Sequence, residues 1–424
     1  MKSYWMELRY SPLRWWLPVL VIVDLATLFG RSSAWIGEWP QTSVAAQISA
    51  FYFAPMLAAA AAWSAGRANR NGTTTLLDGA ARPGWRVELT PLAASVTFGL
   101  IAYGAGVVVA VAVTLPKTTP GFLWPGYVAI GISLLVGFAA IGHLVGRWWN
   151  APFAAPAVSG LGTFLVIAWF GSPGQLGLFV LNGAPFYGPS GTAVVARIGI
   201  AACALAAAVV VPRPGVRHVE KRWLSRSTAT TQACLCAALV VSLFGMHSAG
   251  PIQVTRGAPP RQACTDGVPA ICFWPDDAKY LPAAQSMSVR LGQLAGFGFA
   301  VPGKFFEQGL RGMQTEHQDF YVLDGSLWDP SITMAGQVVD SAMPRDCLRD
   351  GSHKAIPEAV IREVGELNMW ATIRTFGSGR PADMHGGPQG VDLPAMAQEA
   401  ALPQDQQHSW VAQHLEDIRH AFCE

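Results

Sequence analysis

The sequence predicts an α-helical membrane protein in which about seven hydrophobic helices fill the first ~250 residues and a soluble, mostly α-helical domain follows on the far side of the bilayer. Three observations carry this. Of 424 residues, 51% are hydrophobic and only 13% charged, whereas a soluble globule carries about 25% charge. The charges are uneven: sparse and mostly Arg from Met1 to Gly250, ordinary in density after Thr255, with the Pro/Gly-rich stretch Gly250 to Pro260 as boundary. Separate apolar runs approach or exceed the roughly 20 residues a span needs. A net charge of +2 with no dense basic face gives no case for a nucleic-acid partner, and none is expected.

In chain order the spans are expected at Leu13 to Phe29, Val44 to Ala65, Pro91 to Leu115, Pro125 to Val145, Phe153 to Phe170, Ala193 to Val211 and Ala233 to Met246. Thr90 and Pro91 suit a helix entrance, because proline is tolerated in the first turn. The first run lacks a small-residue cleavage site, so it reads as a span and not a signal peptide. Lys and Arg set the orientation. With a cytoplasmic N-terminus, the inner segments hold Lys2, Arg9, Arg14, Arg67, Arg70, Arg82, Arg86, Arg147, Arg213, Arg217, Lys221, Arg222 and Arg226, against Arg31 and Lys117 outside. The expected location is thus a multi-pass cell (plasma) membrane protein with an extracytoplasmic tail.

The cysteines agree with that topology. Cys203, Cys234 and Cys236 fall within spans, where they serve as small apolar residues. Cys264, Cys272, Cys347 and Cys423 all lie in the tail, an even number that suits an oxidising compartment. Cys264–Cys272 and Cys347–Cys423 are the favoured pairs: the first closes a small loop around Gly267 and Pro269, and the second tethers the C-terminal helix. Free structural thiols are the alternative.

Between the second and third spans, Gly72-Thr73-Thr74-Thr75-Leu76-Leu77-Asp78 lies beside Arg82 and Arg86. The threonines can cap a short helix whose leucines need an apolar partner. That partner is either a cytoplasmic subunit or the bilayer surface. Charged groups inside spans are costly and therefore candidates for function. They are Asp24 near mid-depth of the first span, Arg197 near the outer end of the sixth and His143 near the inner end of the fourth. An Asp24–Arg197 ion pair is the structural expectation; contact with substrate or a proton is the functional one. Gly142 and Gly146 have the small-xxx-small spacing that permits close helix packing.

The run Glu7-Leu8-Arg9-Tyr10-Ser11-Pro12-Leu13-Arg14-Trp15-Trp16, then a span pair, then the Thr73–Asp78 loop with Ala81-Arg82-Pro83-Gly84-Trp85-Arg86, resembles actinobacterial ABC transporter permeases of the type-2 exporter class. The resemblance implies a cytoplasmic interface helix at 1–12, a six-helix permease core at 13–227, and an ATPase-coupling loop containing Thr73, Thr74, Leu76, Leu77, Asp78, Arg82 and Arg86. It also implies a re-entrant outer element around Leu176 to Leu181. A seventh span at 228–250 would then export a disulfide-bearing domain at 251–424. Within that domain, Val268 to Pro275, Tyr280-Leu281-Pro282 and Gln406 to Trp410 are similar to an extracytoplasmic domain appended to some of these permeases. The implied partners are a separate ABC ATPase, a second permease copy and the lipid bilayer.

No phosphate-cradling G-x-x-x-x-G-K-S/T occurs, so no nucleotide cofactor is expected. A catalytic or metal site is not expected either. The tail has neither H-E-x-x-H nor G-x-S-x-G. His408, His414 and His420, six residues apart, cannot converge on one helix and read as exposed polar residues. His317, His353 and His385 lack ligand spacing. Helices are expected at Asp276 to Leu294, Pro357 to Arg374, Leu393 to Ala401 and Gln404 to Cys423, with β-prone pieces at Ala270 to Trp274 and Phe320 to Leu323. A binding or gating module fits better than a catalyst. A membrane-anchored sensor, immunity protein or peptidase-like relic without transport is the alternative to an exporter subunit.

Overall fold

The computed structural model describes residues 2–73, 83–117, 121–149, 151–211, 248–311, 319–322, 325–344, 358–380 and 386–423, with 237, 245, 383 and 384. The chain forms two compact units, Met1–Val254 and Thr255–Glu424. The expected seventh span, Ala233 to Met246, lies outside the described residues apart from Ala237 and Gly245.

The first unit is helical: α1 Lys2–Tyr10, α2 Leu13–Phe29, α3 Ser32–Trp35, α4 Trp39–Ala65, α5 Arg67–Arg70, α6 Gly84–Thr114, α7 Pro125–Trp148, α8 Ala154–Phe170 and α9 Gly191–Val210. Four of these, α4, α6, α7 and α9, are long and apolar enough to cross a membrane; α1 and α2 together, bent by 65°, make a fifth candidate. Helix α8 has 17 residues, which spans about 25 Å and falls just short of the ~30 Å hydrocarbon core. An apolar belt faces outward, including Ile22, Ile101, Val108, Leu161, Trp169 and Val195. Exposed apolar surface on this scale needs a covering, and a bilayer supplies one.

Helix α4 is the centre of this unit, packing on α2, α6, α7 and α8. Its alanines explain how. Ala50, Ala54, Ala58, Ala61 and Ala62 are buried, so neighbouring backbones approach closely. A Cβ on Gly142 of α7 would lie 2.1 Å from the Ala58 carbonyl oxygen, and one on Gly146 would lie 2.1 Å from that of Ala62. The spacing of these two glycines is thus a helix–helix seam, in which small residues replace the hydrophobic driving force that lipid does not provide. Polar bonds fasten the rest: Thr42 to Thr114 at 2.9 Å, and the Trp124 amide to Ser43 Oγ at 2.9 Å.

Pro91 does not open its helix. Pro83, extended at ψ 134°, precedes α6, which starts at Gly84 and carries Pro91 inside it. A helix of this length tolerates the one hydrogen bond that an internal proline removes, and the residues from Gly84 to Thr90 gain a helical turn that the Thr-Pro signal would have excluded.

The second unit mixes helices with a sheet. Its helices are α10 Leu281–Gln293, α11 Trp328–Asp340, α12 Glu358–Phe376, α13 Leu393–Ala401 and α14 Gln404–Cys423. After β1 (Tyr187–Pro189) and β2 (Gln253–Thr255), four short strands, β3 Ala263–Cys264, β4 Ala270–Phe273, β5 Lys304–Glu307 and β6 Asp319–Phe320, form a sheet in chain order. The β3–β4 pair is antiparallel and the next two pairs are parallel. The expectation of a mostly α-helical domain therefore needs a sheet added. Helix α11 was also not expected: Pro330 disguises its first turn, where proline is tolerated. Ile271, Phe273, Phe305 and Phe320 from the sheet meet Met287, Leu291, Val338, Leu367, Trp370 and Val411 from the helices in one core. Cys264 and Cys272 sit opposite each other in β3 and β4 and form a disulfide. Cys423 is also disulfide-bonded; Cys347 lies outside the described residues.

Candidate functional site

Helix α7 packs on both α8 and α9. Between them lies a cavity of about 350 Å³. Its walls are apolar apart from Ser133, Ser159, Thr163 and Arg197; Phe138, Ile141 and Val166 contribute much of the rest. The loop after α8 forms one edge through Leu176 and Leu178. A cavity of this size between bundle helices, with few polar groups, suits an apolar or amphiphilic ligand.

The loop at 171–186 is held into the bundle by polar side chains from α9 and α4 and by Arg31, between α2 and α3. Arg197 on α9 donates Nε to the Gly177 carbonyl at 2.6 Å and Nη2 to Leu176 at 2.8 Å, with Nη1 on its own helix at Ala193. Gln47 accepts from the Val180 amide at 2.9 Å and Gln41 from Gly183 at 3.0 Å. Arg31 reaches the Leu181 carbonyl. Phe179 and Val180 are buried. Non-helical backbone at such a place needs its amides and carbonyls satisfied by protein, and these side chains do so. Gln41 and Gln47 carry no charge, so the signal in their positions was easy to miss.

Arg197 is therefore a clamp on carbonyls, and the expected Asp24–Arg197 ion pair does not form. Asp24 packs on α6 instead, where a Cβ on Gly106 would lie 2.0 Å from Asp24 Oδ2. The side chain is buried, and Oδ2 accepts no hydrogen bond from the described residues. A loop full of open carbonyls offers the guanidinium acceptors nearer than a carboxylate on another helix, so the pair loses to local chemistry.

His143 belongs to a buried polar cluster. Glu88 Oε2 on α6 lies 3.1 Å from His143 Nε2 and 3.2 Å from Arg147 Nε, both on α7. Arg147 also donates to the Ala208 carbonyl of α9 at 2.7 Å. This joins three helices at one end of the bundle. Sequence spacing offered a signal: His143 and Arg147 are four residues apart and share a face. Glu88 lay just before the expected start of its span, so its burial was not anticipated.

At that same end, α1 is pinned. Glu7 pairs with Arg67 beyond α4, and Tyr4 and Thr97 of α6 bond at 2.7 Å. Trp5, Met6 and Tyr10 remain exposed on α1. Of the loop residues singled out in the sequence, Thr73 bonds the Ala68 carbonyl through its amide at 3.0 Å, and Arg86 lies over the Trp85 ring. Thr74, Leu76, Leu77, Asp78 and Arg82 lie outside the described residues.

In the second unit, a cleft of about 480 Å³ lies among Arg290, Gln293, Arg374, Arg380 and Ala397. Arg290 donates to the carbonyls of Thr375 and Phe376 at 2.9 and 2.7 Å, capping the end of α12; burial pushes its guanidinium pKa down. The expectation of exposed histidines holds at His420 but not elsewhere on α14. His408 stacks on Phe297 at 4.2 Å, and His414, with only 13% of its side chain exposed, lies against Trp410. The three do not converge with one another, but a partner helix packs over His414. His317, His353 and His385 lie outside the described residues. No protein-family model, no curated protein and no solved structure matches this chain.

Proposed function

We propose that this chain is the transmembrane subunit of an ABC exporter, working with a separate ATPase and a second permease copy. The observation that carries the reading is α1: a short helix with exposed Trp5, Met6 and Tyr10, turned 65° from α2 and latched by Glu7 and Tyr4 to the arginine-rich end of the bundle. A helix so placed lies along a membrane surface. It and the following Gly72-to-Arg86 segment form the face on which a cytoplasmic ATPase docks. With the N-terminus cytoplasmic, six helices make the permease core. The seventh span carries residues 251–424 outside, where disulfides such as Cys264–Cys272 are stable.

Force applied to α1 at its latch is transmitted to α4 and α6, the helices that frame the rest of the bundle. The cavity between α7, α8 and α9 then takes the cargo from the bilayer side. Its few polar groups suit an amphiphile with one hydrogen-bonding end. The outer domain binds cargo or closes the exit.

The test is purification of the full chain in detergent from its native host. An ATPase and a second copy are expected to accompany it, and the ATPase is expected to be lost from the Leu76→Asp/Leu77→Asp double variant. Retention of the ATPase by that variant refutes the docking assignment. A homogeneous single chain without any ATPase supports an anchored sensor or immunity protein instead.

A further inference from the structure

We propose that the second unit holds a divalent transition-metal ion, of which zinc is the natural occupant, between Glu363 and Glu366 on α12 and His414 on α14. The three side chains come from two helices, and one donor atom from each lies within 4.8 Å of the others. His414 Nε2 is 3.1 Å from Glu363 Oε2 and 3.4 Å from Glu366 Oε2. Ligands about 2.0–2.2 Å from a tetrahedral zinc stand roughly 3.3–3.6 Å apart, so two of the three edges are already near the required length.

The protonation of the imidazole sharpens the argument. His414 Nδ1 lies 3.0 Å from the Trp410 carbonyl oxygen. A carbonyl can only accept, so Nδ1 carries the hydrogen. In the neutral ring Nε2 is then a lone pair facing two carboxylate oxygens, three acceptors with nothing to share. The three donor atoms lie close enough together to hold one metal ion. A ligating histidine whose other nitrogen donates to a backbone carbonyl is the usual arrangement at a metal. The ring is further fixed by its contact with Trp410, 3.8 Å between centroids. Arg362 approaches Glu366 at 3.8 Å through its other oxygen, Oε1, leaving Oε2 toward the site. Zinc is favoured over calcium or magnesium because an imidazole nitrogen is among three donors. The fourth position is left for water or an external ligand, and the bond would tie the C-terminal helix to α12. Sequence spacing hid this, because two ligands are i, i+3 on one helix and the third lies 48 residues on.

The experiment uses the full chain in detergent, stripped with chelator and titrated with zinc alone against a chromophoric competitor. One tightly bound zinc per chain is expected in the wild type and in Glu416→Gln, an exposed change on the same helix. His414→Ala and the Glu363→Gln/Glu366→Gln double variant are each expected to weaken binding at least tenfold, with unchanged circular dichroism. Cobalt substitution should give a visible band that His414→Ala lacks. Absence of stoichiometric zinc in the wild type overturns the proposal. Equal zinc affinity in both ligand variants, which would put the metal elsewhere in the chain, also overturns it.

Discussion

Replacing Glu88 by glutamine is expected to destabilise the helical unit by more than any exposed ion pair could explain. Glu88 stands 3.2 Å from Arg147 Nε, and these side chains are 9% and 4% exposed. At an effective dielectric near 20, two unit charges at that separation attract by about 5 kcal/mol. Desolvation offsets much of that, so the pair adds little net stability while being costly to break. Removing one partner of a buried pair costs about 3–5 kcal/mol, whereas replacing both with apolar groups is often close to neutral. Glu88→Gln and Arg147→Met are each expected near 3 kcal/mol, the second also losing the bond to the Ala208 carbonyl. The double variant should then cost about 3 kcal/mol less than their sum, a coupling far above the ~0.5 kcal/mol scatter of independent sites. The assay is reversible denaturant unfolding in mixed micelles, followed by tryptophan fluorescence. Additive single and double variants would refute the cluster as an energetic unit.

Gly146→Leu is expected to disrupt the α4–α7 seam and lower the thermal midpoint sharply, while Gly137→Ala, whose added Cβ would meet Ala201 at 3.7 Å, should leave the melt unchanged. The Cys264→Ser/Cys272→Ser variant removes a bridge across 8 positions, worth roughly 2–3 kcal/mol by loop closure; the wild type under reductant, which also opens the Cys423 bridge, should show at least this shift. Arg197→Met leaves the carbonyls of Leu176 and Gly177 without their donors, so hydrogen exchange or limited proteolysis within 171–186 should accelerate while α4 stays protected. Asp24→Asn keeps the shape of a side chain whose Oδ2 accepts no bond from the described residues; stability is expected within about 1 kcal/mol of wild type, and a loss of transport without a loss of stability would mark a functional carboxylate.

The membrane half was legible where a single chemical requirement governs a long run. The expected first span and α2 share both bounds, Leu13 and Phe29, and α8 differs from its expected run by one residue, because apolar length is nearly all that such a helix needs. The same holds for α13 and α14 in the second unit, whose bounds match the expected ones; Asp392 caps the first of these through the Ala395 amide at 3.1 Å, a signal readable from sequence. Pairing was not legible. Asp24 and Arg197 carry opposite charges in the first and sixth expected spans, yet one packs on Gly106 and the other holds loop carbonyls. Charge alone cannot rank a carboxylate against free backbone oxygens, since every loop carbonyl is invisible in a sequence. Strands β3 and β5 and helix α11 were missed for a related reason: Lys304-Phe305-Phe306-Glu307 is too short to show periodicity and becomes a strand only beside β4 and β6.

The buried polar groups of the helical unit separate by what satisfies them, and that separation bears on where the proposed transport chemistry would reside. Arg197 is spent on three carbonyls of its own unit, and Glu88 on His143 and Arg147. Both sets join elements that would otherwise part: Arg197 the 171–186 loop to α9, Glu88 two helices, with Arg147 reaching a third. Groups so engaged can respond to cargo only by letting go of the fold, which makes them poor binding residues and good rigid elements. Asp24 differs. It is buried, it sits where Gly106 gives it room, and one of its oxygens is unengaged among the described residues. Burying a carboxylate is costly, and Asp24 recovers part of that cost through Ser49 and the Gly106 backbone. On the proposed export reading, Asp24 is a buried charge whose change would loosen fewer elements than a change at Arg197 or Glu88, and the Asp24→Asn variant tests that.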